Sequence, residues 1–120
     1  MSSKIIALLL LLSSSSLAYS QGIKTKIRQG NRLYKERNFS EAETAYRKAL
    51  LLDSLSGKAN FGVSAAAYEL GRYKEAASYL ERALRGPRIS TKEAAATLHN
   101  LGNVAMKDKK YEEAIRLYEE

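Results

Sequence analysis

The stretch GNRLYKERNFSEAETAYRKALLLD, residues 30–53, decides the fold. Apolar residues recur in it at three- and four-residue spacing on both sides of Arg37-Asn38, so it reads as two short amphipathic helices joined by a turn. The pattern returns 34 residues later. Asn38-Phe39-Ser40-Glu41-Ala42 falls over Arg72-Tyr73-Lys74-Glu75-Ala76, and Arg47-Lys48-Ala49-Leu50 over Glu81-Arg82-Ala83-Leu84. A third copy, Lys110-Tyr111-Glu112-Glu113-Ala114, follows after 38 residues, which places an insertion of four between the second and third units. A period of 34 with helical apolar spacing predicts stacked helix pairs.

Working outward, the first helix is expected from about Ile23 to Arg37. Ser40-x-x-Glu43 reads as a capping box opening a second helix that runs to about Leu52, with Ala42, Ala45-Tyr46 and Ala49-Leu50 inward. Helix three starts near Lys58 and ends at Gly71, which takes a left-handed conformation cheaply. Helix four covers about Lys74 to Arg85 and stops at Gly86-Pro87. A second capping box, Ser90-x-x-Glu93, opens helix five, Asp108-Lys109-Lys110 turns the chain, and helix six starts at Glu112. The sequence reaches Glu120 in the middle of that helix, without the polar capping helix that closes most solenoids. Small residues recur where the helices of a pair must approach: Gly30, Ser64 and Gly102 in the first helices, Ala42, Ala76 and Ala114 in the second. Phe39, Tyr73 and Tyr111 would wedge each turn, and Ala49 and Ala83 would let the next pair dock.

Residues 1–20 are set apart from this pattern. Lys4 precedes the apolar run Ile5–Leu12, and Ala18-Tyr19-Ser20 puts small residues where a signal peptidase reads them. The stretch is expected to be a secretory signal peptide, cleaved before Gln21. Eight apolar residues fall far short of the ~20 that span a bilayer, so no integral span is expected in the mature chain. Residues 21–120 hold 19 basic against 13 acidic groups. These are interleaved and, in an exported protein, do not point to nucleic acid. The densest cluster, Lys24, Lys26, Arg28 and Arg32, reads as a solvated helical face, with an acidic partner or membrane headgroups as the other reading. Without cysteine there is neither a disulfide nor a thiolate metal site. A domain of 100 residues must then stand on its packed core.

Leu101-Gly102-Asn103, Tyr111, Ala114 and Tyr118, with Gly30, Asn31, Phe39, Ala42, Tyr46 and Ala49, resemble tetratricopeptide (TPR) repeats from Ile23 to Glu120. Ser64 stands for the usual glycine, Ala67 for a large residue, and Ser54 and Arg88 for prolines. The resemblance implies an all-α, right-handed solenoid of antiparallel helix pairs, with repeats at about 23–56, 57–90 and 95–120 and the third cut short. It also implies a concave groove that takes a partner peptide or helix. Mapped by repeat position, that groove would present Ile27, Asn31, Tyr34 and Lys35, then Phe61, Ala65 and Tyr68, then His99, Asn103 and Met106. Ile27, Gly62, Ala96 and Asn100 stand where a chaperone-type carboxylate clamp wants other groups, so such a clamp is disfavoured although Asn31 fits it. A signal peptide directly ahead of these repeats is also similar to the small TPR proteins of bacterial aerotolerance operons. That similarity implies a membrane protein with a von Willebrand A-type domain as partner, in an envelope stress complex.

No catalytic constellation is visible. His99 is the only histidine, no nucleophile motif surrounds any serine, and Gly30, Gly62 and Gly102 lie inside helices rather than in a phosphate-binding loop. The expectation is a non-enzymatic scaffold, exported to the bacterial periplasm, without cofactor or metal. The alternative is the N-terminal sensor segment of a larger signalling protein whose output domain lies beyond Glu120. Oligomers through the uncapped end, where Leu117 and Tyr118 lack a cover, are a further expectation.

Overall fold

The computed structural model describes residues 2–87 and 89–120, with Tyr111 described by its backbone alone. Expectations resting on Met1, on Arg88 and on the Tyr111 ring lie outside the described residues. The chain forms α1 (Ser3–Lys35), α2 (Phe39–Leu52), α3 (Gly57–Glu69), α4 (Tyr73–Leu84), α5 (Thr91–Lys107) and α6 (Tyr111–Glu119). Among the described residues there is no strand. Each helix packs on the next, and α1 also touches α3. The three pairs α1–α2, α3–α4 and α5–α6 therefore stack as the repeat requires.

The turns within the three pairs are nearly identical. Arg37, Gly71 and Lys109 occupy equivalent positions and share a left-handed backbone, with φ of 64°, 77° and 61°. The next residue's N–H reaches back to a carbonyl of the helix just ended: Asn38 to Leu33, Arg72 to Ala67, Lys110 to Ala105. This bond is the mark of a Schellman ending. Asn38, Arg72 and Lys110 then start the following helix, accepting from Ala42, Ala76 and Ala114.

That geometry corrects one expectation. Asn38, not Ser40, is the N-cap of α2, and it caps without a side-chain bond. The Schellman turn has already set the helix start two residues upstream, so Glu43 is released for other work. The second capping box is present: Ser90 Oγ accepts from Glu93 N at 3.1 Å, and Glu93 Oε2 accepts from Ser90 N at 3.0 Å.

A second correction concerns α1. It begins at Ser3, not near Ile23, and runs unbroken for 33 residues. At 1.5 Å per residue it is about 50 Å long, which draws the molecule out to 65 × 30 × 18 Å. Its first eighteen residues, 3–20, are exposed throughout. The helix contains an 18-residue window with mean hydropathy 1.5, none of it buried, so length and composition alone would allow it to cross a bilayer. Packing begins at Gly22 and Ile23.

Two apolar clusters hold the stack. Leu33, Ala42, Ala45, Tyr46 and Val63 join the first pair to α3. Ala67, Ala76, Leu80, Leu101 and Val104 join the second pair to α5. Ala42, Ala76 and Ala114 have no exposed surface, as close helix approach demands. Tyr46 sits so near the α1 and α3 backbones that a Cβ on Gly30 would come within 2.6 Å of its ring, and one on Gly62 within 2.4 Å. Gly102 stands in the same relation to Tyr118, at 2.4 Å. In the middle unit Ser64 replaces the glycine and the smaller Leu80 replaces the tyrosine.

The four inserted residues are taken up at a definite place. Helix α5 has 17 residues against 13 for α3, and the addition lies at its N-terminus. It amounts to about one helical turn.

Candidate functional site

The first helices of the pairs, α1, α3 and α5, line one side of the stack, and two hollows lie along it. The larger, about 450 Å³, is bounded by Ile27 and Asn31 of α1, Lys58 and Phe61 of α3, and Ala96 and Thr97 of α5. Gly86, Pro87 and Ile89 of the α4–α5 connection, and Glu93 on the added turn of α5, complete its wall. The insertion thus builds one end of this hollow. The smaller, about 190 Å³, is formed by Tyr34, Ala65, Tyr68, Glu69, Asn100 and Asn103, over Ser64, Leu80 and Val104.

The groove residues mapped from the repeat pattern divide between these places. Ile27, Asn31 and Phe61 line the larger hollow, and Tyr34, Ala65, Tyr68 and Asn103 line the smaller. Lys35, His99 and Met106 border neither. The His99 ring lies 5.3 Å from that of Tyr118 on α6, so it faces the other helix of its own pair. Gly57, Lys58, Gly86, Pro87 and Ile89 were not foreseen as lining, since their place depends on where the inserted residues go.

Aromatic edges set the groove tyrosines. Tyr34 meets Phe39 edge-on with ring centroids 5.2 Å apart, and Tyr68 meets Tyr73 in the same way at 5.7 Å. Such T-shaped pairs add about 0.5–1.5 kcal/mol to simple burial. The Tyr34 hydroxyl donates to Glu69 Oε1 at 3.4 Å. Burial first, and the Glu69 charge next, push the Tyr34 phenol above its ordinary range, so it stays a neutral donor.

Asn31 and Asn103 are less available than the sequence suggests. The Tyr46 hydroxyl donates to Asn31 Oδ1, and the Tyr118 hydroxyl to Asn103 Oδ1, both at 2.6 Å. Each asparagine is left with its amide N–H groups for a ligand. A sequence signal for this did exist: Asn and Tyr stand 15 residues apart in the first and third units, and both are missing from the second, which has Ala65 and Leu80.

The second helices carry an ionic cluster that sequence reasoning missed. Glu43, only 7% exposed, takes Arg47 Nε at 3.0 Å and Arg72 Nη1 at 3.0 Å. Arg47 also reaches Glu75 and donates to the Tyr79 hydroxyl at 2.6 Å. The Arg47 and Arg82 guanidinium groups lie 5.1 and 4.7 Å from the Tyr79 ring centroid. The cluster ties the first pair to the second. Among the described residues, no three His, Asp or Glu side chains converge to hold a metal ion.

A family model described as tetratricopeptide repeat matches residues 27–94, and a second one so described matches 94–120. The first alone spans more than half of the chain. This chain belongs to the tetratricopeptide repeat family. Its fold is an all-α TPR solenoid. It is similar to the N-terminal domain of stress-induced protein-1 (STI-1) from C. elegans, with TM-score 0.76, 24% identity, and coverage of 83% of this chain and 81% of that one. The TPR domain of Arabidopsis FLU gives TM-score 0.76 at 22% identity, covering 84% and 92%. The second TPR of Spaghetti (RPAP3), bound to the HSP90 peptide SRMEEVD, gives TM-score 0.75 at 17% identity, covering 88% and 94%. At these identities the likeness is one of fold. A search of curated proteins gave no match.

Proposed function

We propose that this TPR protein is a non-enzymatic protein–protein interaction scaffold that holds an extended peptide or helix of a partner in its groove. The supporting observation is the pair of neighbouring hollows along α1, α3 and α5, one lined by Ile27 and Phe61 with Asn31, Lys58 and Glu93, and one walled by Tyr34 and Tyr68. Tyrosines fixed by edge-on partners offer large, rigid, amphipathic contact area at little entropic cost. The second TPR of Spaghetti (RPAP3), bound to the HSP90 peptide SRMEEVD, supports a peptide as the kind of ligand.

The N-terminal apolar stretch delivers the repeats across the membrane to the bacterial periplasm, and the partner is an envelope protein. By resemblance to the aerotolerance-operon proteins, a membrane protein with a von Willebrand A-type domain is the first to try. Replacing Tyr34→Ala together with Tyr68→Ala should lower partner capture from envelope extracts at least tenfold, because both ring walls are lost. Circular dichroism should show helicity retained, since both rings are only partly buried. Capture unchanged by the double replacement would remove the groove from the mechanism.

A further inference from the structure

The charge of this protein is not spread over it, and the interleaving of basic and acidic residues holds only beyond α1. The net charge is +7, and α1 supplies six of those charges with six basic residues and no acidic one. Residues 36–120 hold 14 basic against 13 acidic groups and are close to neutral.

Within α1, Lys24, Arg28, Arg32 and Lys35 recur at spacings of four, four and three, which puts them on one helical stripe. All four are exposed, on the side opposite the buried Gly30 and Leu33. Among the described residues, none of the four has a carboxylate within 4.0 Å. Toward the N-terminus the same edge carries Leu17, Leu10 and Ile6, with Gln21 and Ser13-Ser14 between them, and from Ile5 to Leu12 the helix is apolar and exposed on every side. A single unbroken helix is therefore apolar all round near its start and cationic along one edge of its C-terminal part, with both parts exposed.

We propose that this edge of α1 docks on a membrane surface bearing anionic phospholipid. The lysine and arginine stripe meets the headgroups, and the groove is thereby held at the bilayer. A helix with leucine and isoleucine in the acyl boundary and cations among headgroups follows the physics of interfacial binding. Clustered Lys and Arg strengthen it on anionic leaflets. The exposed apolar turns on the same helix favour lipid over an acidic protein, which would have no use for Ile6 or Leu10; the inference is for the chain that keeps residues 3–20, not for one cleaved before Gln21. Vesicle binding does not rest on the groove reading, since none of the four cations lines either hollow.

The test is sedimentation of the full chain with vesicles of phosphatidylcholine alone and of phosphatidylcholine with one third phosphatidylglycerol. The apolar end binds both kinds, so the ratio between them isolates the cations. The wild type should bind the anionic vesicles at least tenfold more tightly, with the difference shrinking as salt rises. Lys24→Gln, Arg28→Gln, Arg32→Gln and Lys35→Gln combined should reduce that ratio below threefold. Arg28→Lys with Arg32→Lys should keep it. Equal binding of the wild type to both vesicle types would overturn the proposal, as would a quadruple variant that keeps the full ratio. Tighter retention on polyglutamate than on the anionic vesicles would assign the stripe to an acidic protein and likewise overturn it.

Discussion

Between the first and second helix pairs the contact is partly ionic, because Glu43 lies buried against Arg47 and Arg72 while Arg47 reaches on to Glu75 and Tyr79. Between the second and third pairs the position of Glu43 is taken by Ala77, which packs into an apolar cluster with Leu84, Leu98 and Leu117. Among the described residues, Lys110, the counterpart of Arg72, pairs only with Asp108, 3.7 Å away in its own turn. The filling within the pairs differs too: glycine against tyrosine in the first and third, serine against leucine in the second. One backbone plan thus accepts opposite side-chain solutions, provided that each substitution is matched by its neighbour.

Exchanging the filling should test that matching most severely. Gly30→Ser alone forces a Cβ into the Tyr46 ring and should cost about 1–3 kcal/mol by overpacking. Adding Tyr46→Leu, which copies the middle unit, should recover much of the loss. Denaturant titration of both single variants and the double reads the coupling directly. Additive costs would show that the two positions do not depend on one another.

The next effect is one of pH. Burial raises the Tyr46 phenol from its ordinary value of 10.0 to about 12. The unfolded chain ionises this group near pH 10 and the folded chain near 12. Its contribution is therefore complete below pH 10 and disappears as pH rises through 12. Wild type should lose on the order of 2 kcal/mol more than Tyr46→Phe across that window. Parallel alkaline unfolding curves would contradict the burial argument. Leu80 leaves the middle unit without any such titration.

The smallest effect concerns the ionic junction. Glu43→Gln keeps the shape and removes the charge. Both arginine partners are partly exposed and can rehydrate, so the loss should be about 1 kcal/mol and should shrink at high salt. A loss of the same size at low and high salt would point to packing rather than charge.

Much of the architecture was readable from residue spacing. The small residues at Ala42, Ala76 and Ala114 and the turns at Arg37, Gly71 and Lys109 follow from rules that act over one or two helical turns. The misses came from interactions of longer reach. Glu43 looked like a capping residue because Ser40 stands three before it, whereas its partner Arg72 is 29 residues away. Ser40 lost the cap because the preceding turn had already fixed the helix start. Gly62 was read as a helix residue at a clamp position and not as a packing site, since the ring that presses on it belongs to the neighbouring pair. Seven of the ten proposed groove residues line the two hollows. Lys35, His99 and Met106 do not, because repeat position fixes the helix face and not the depth of the surface beside it.

The added turn on α5 carries a rule for how this junction can vary. A full turn returns the incoming chain to nearly the same side of the helix, so the connection from α4 still reaches it. Two extra residues would bring it in from the far side, through space that α3 and α4 fill. Length here should change in steps of three or four, each step resizing one end of the larger hollow while the neighbouring units stay as they are.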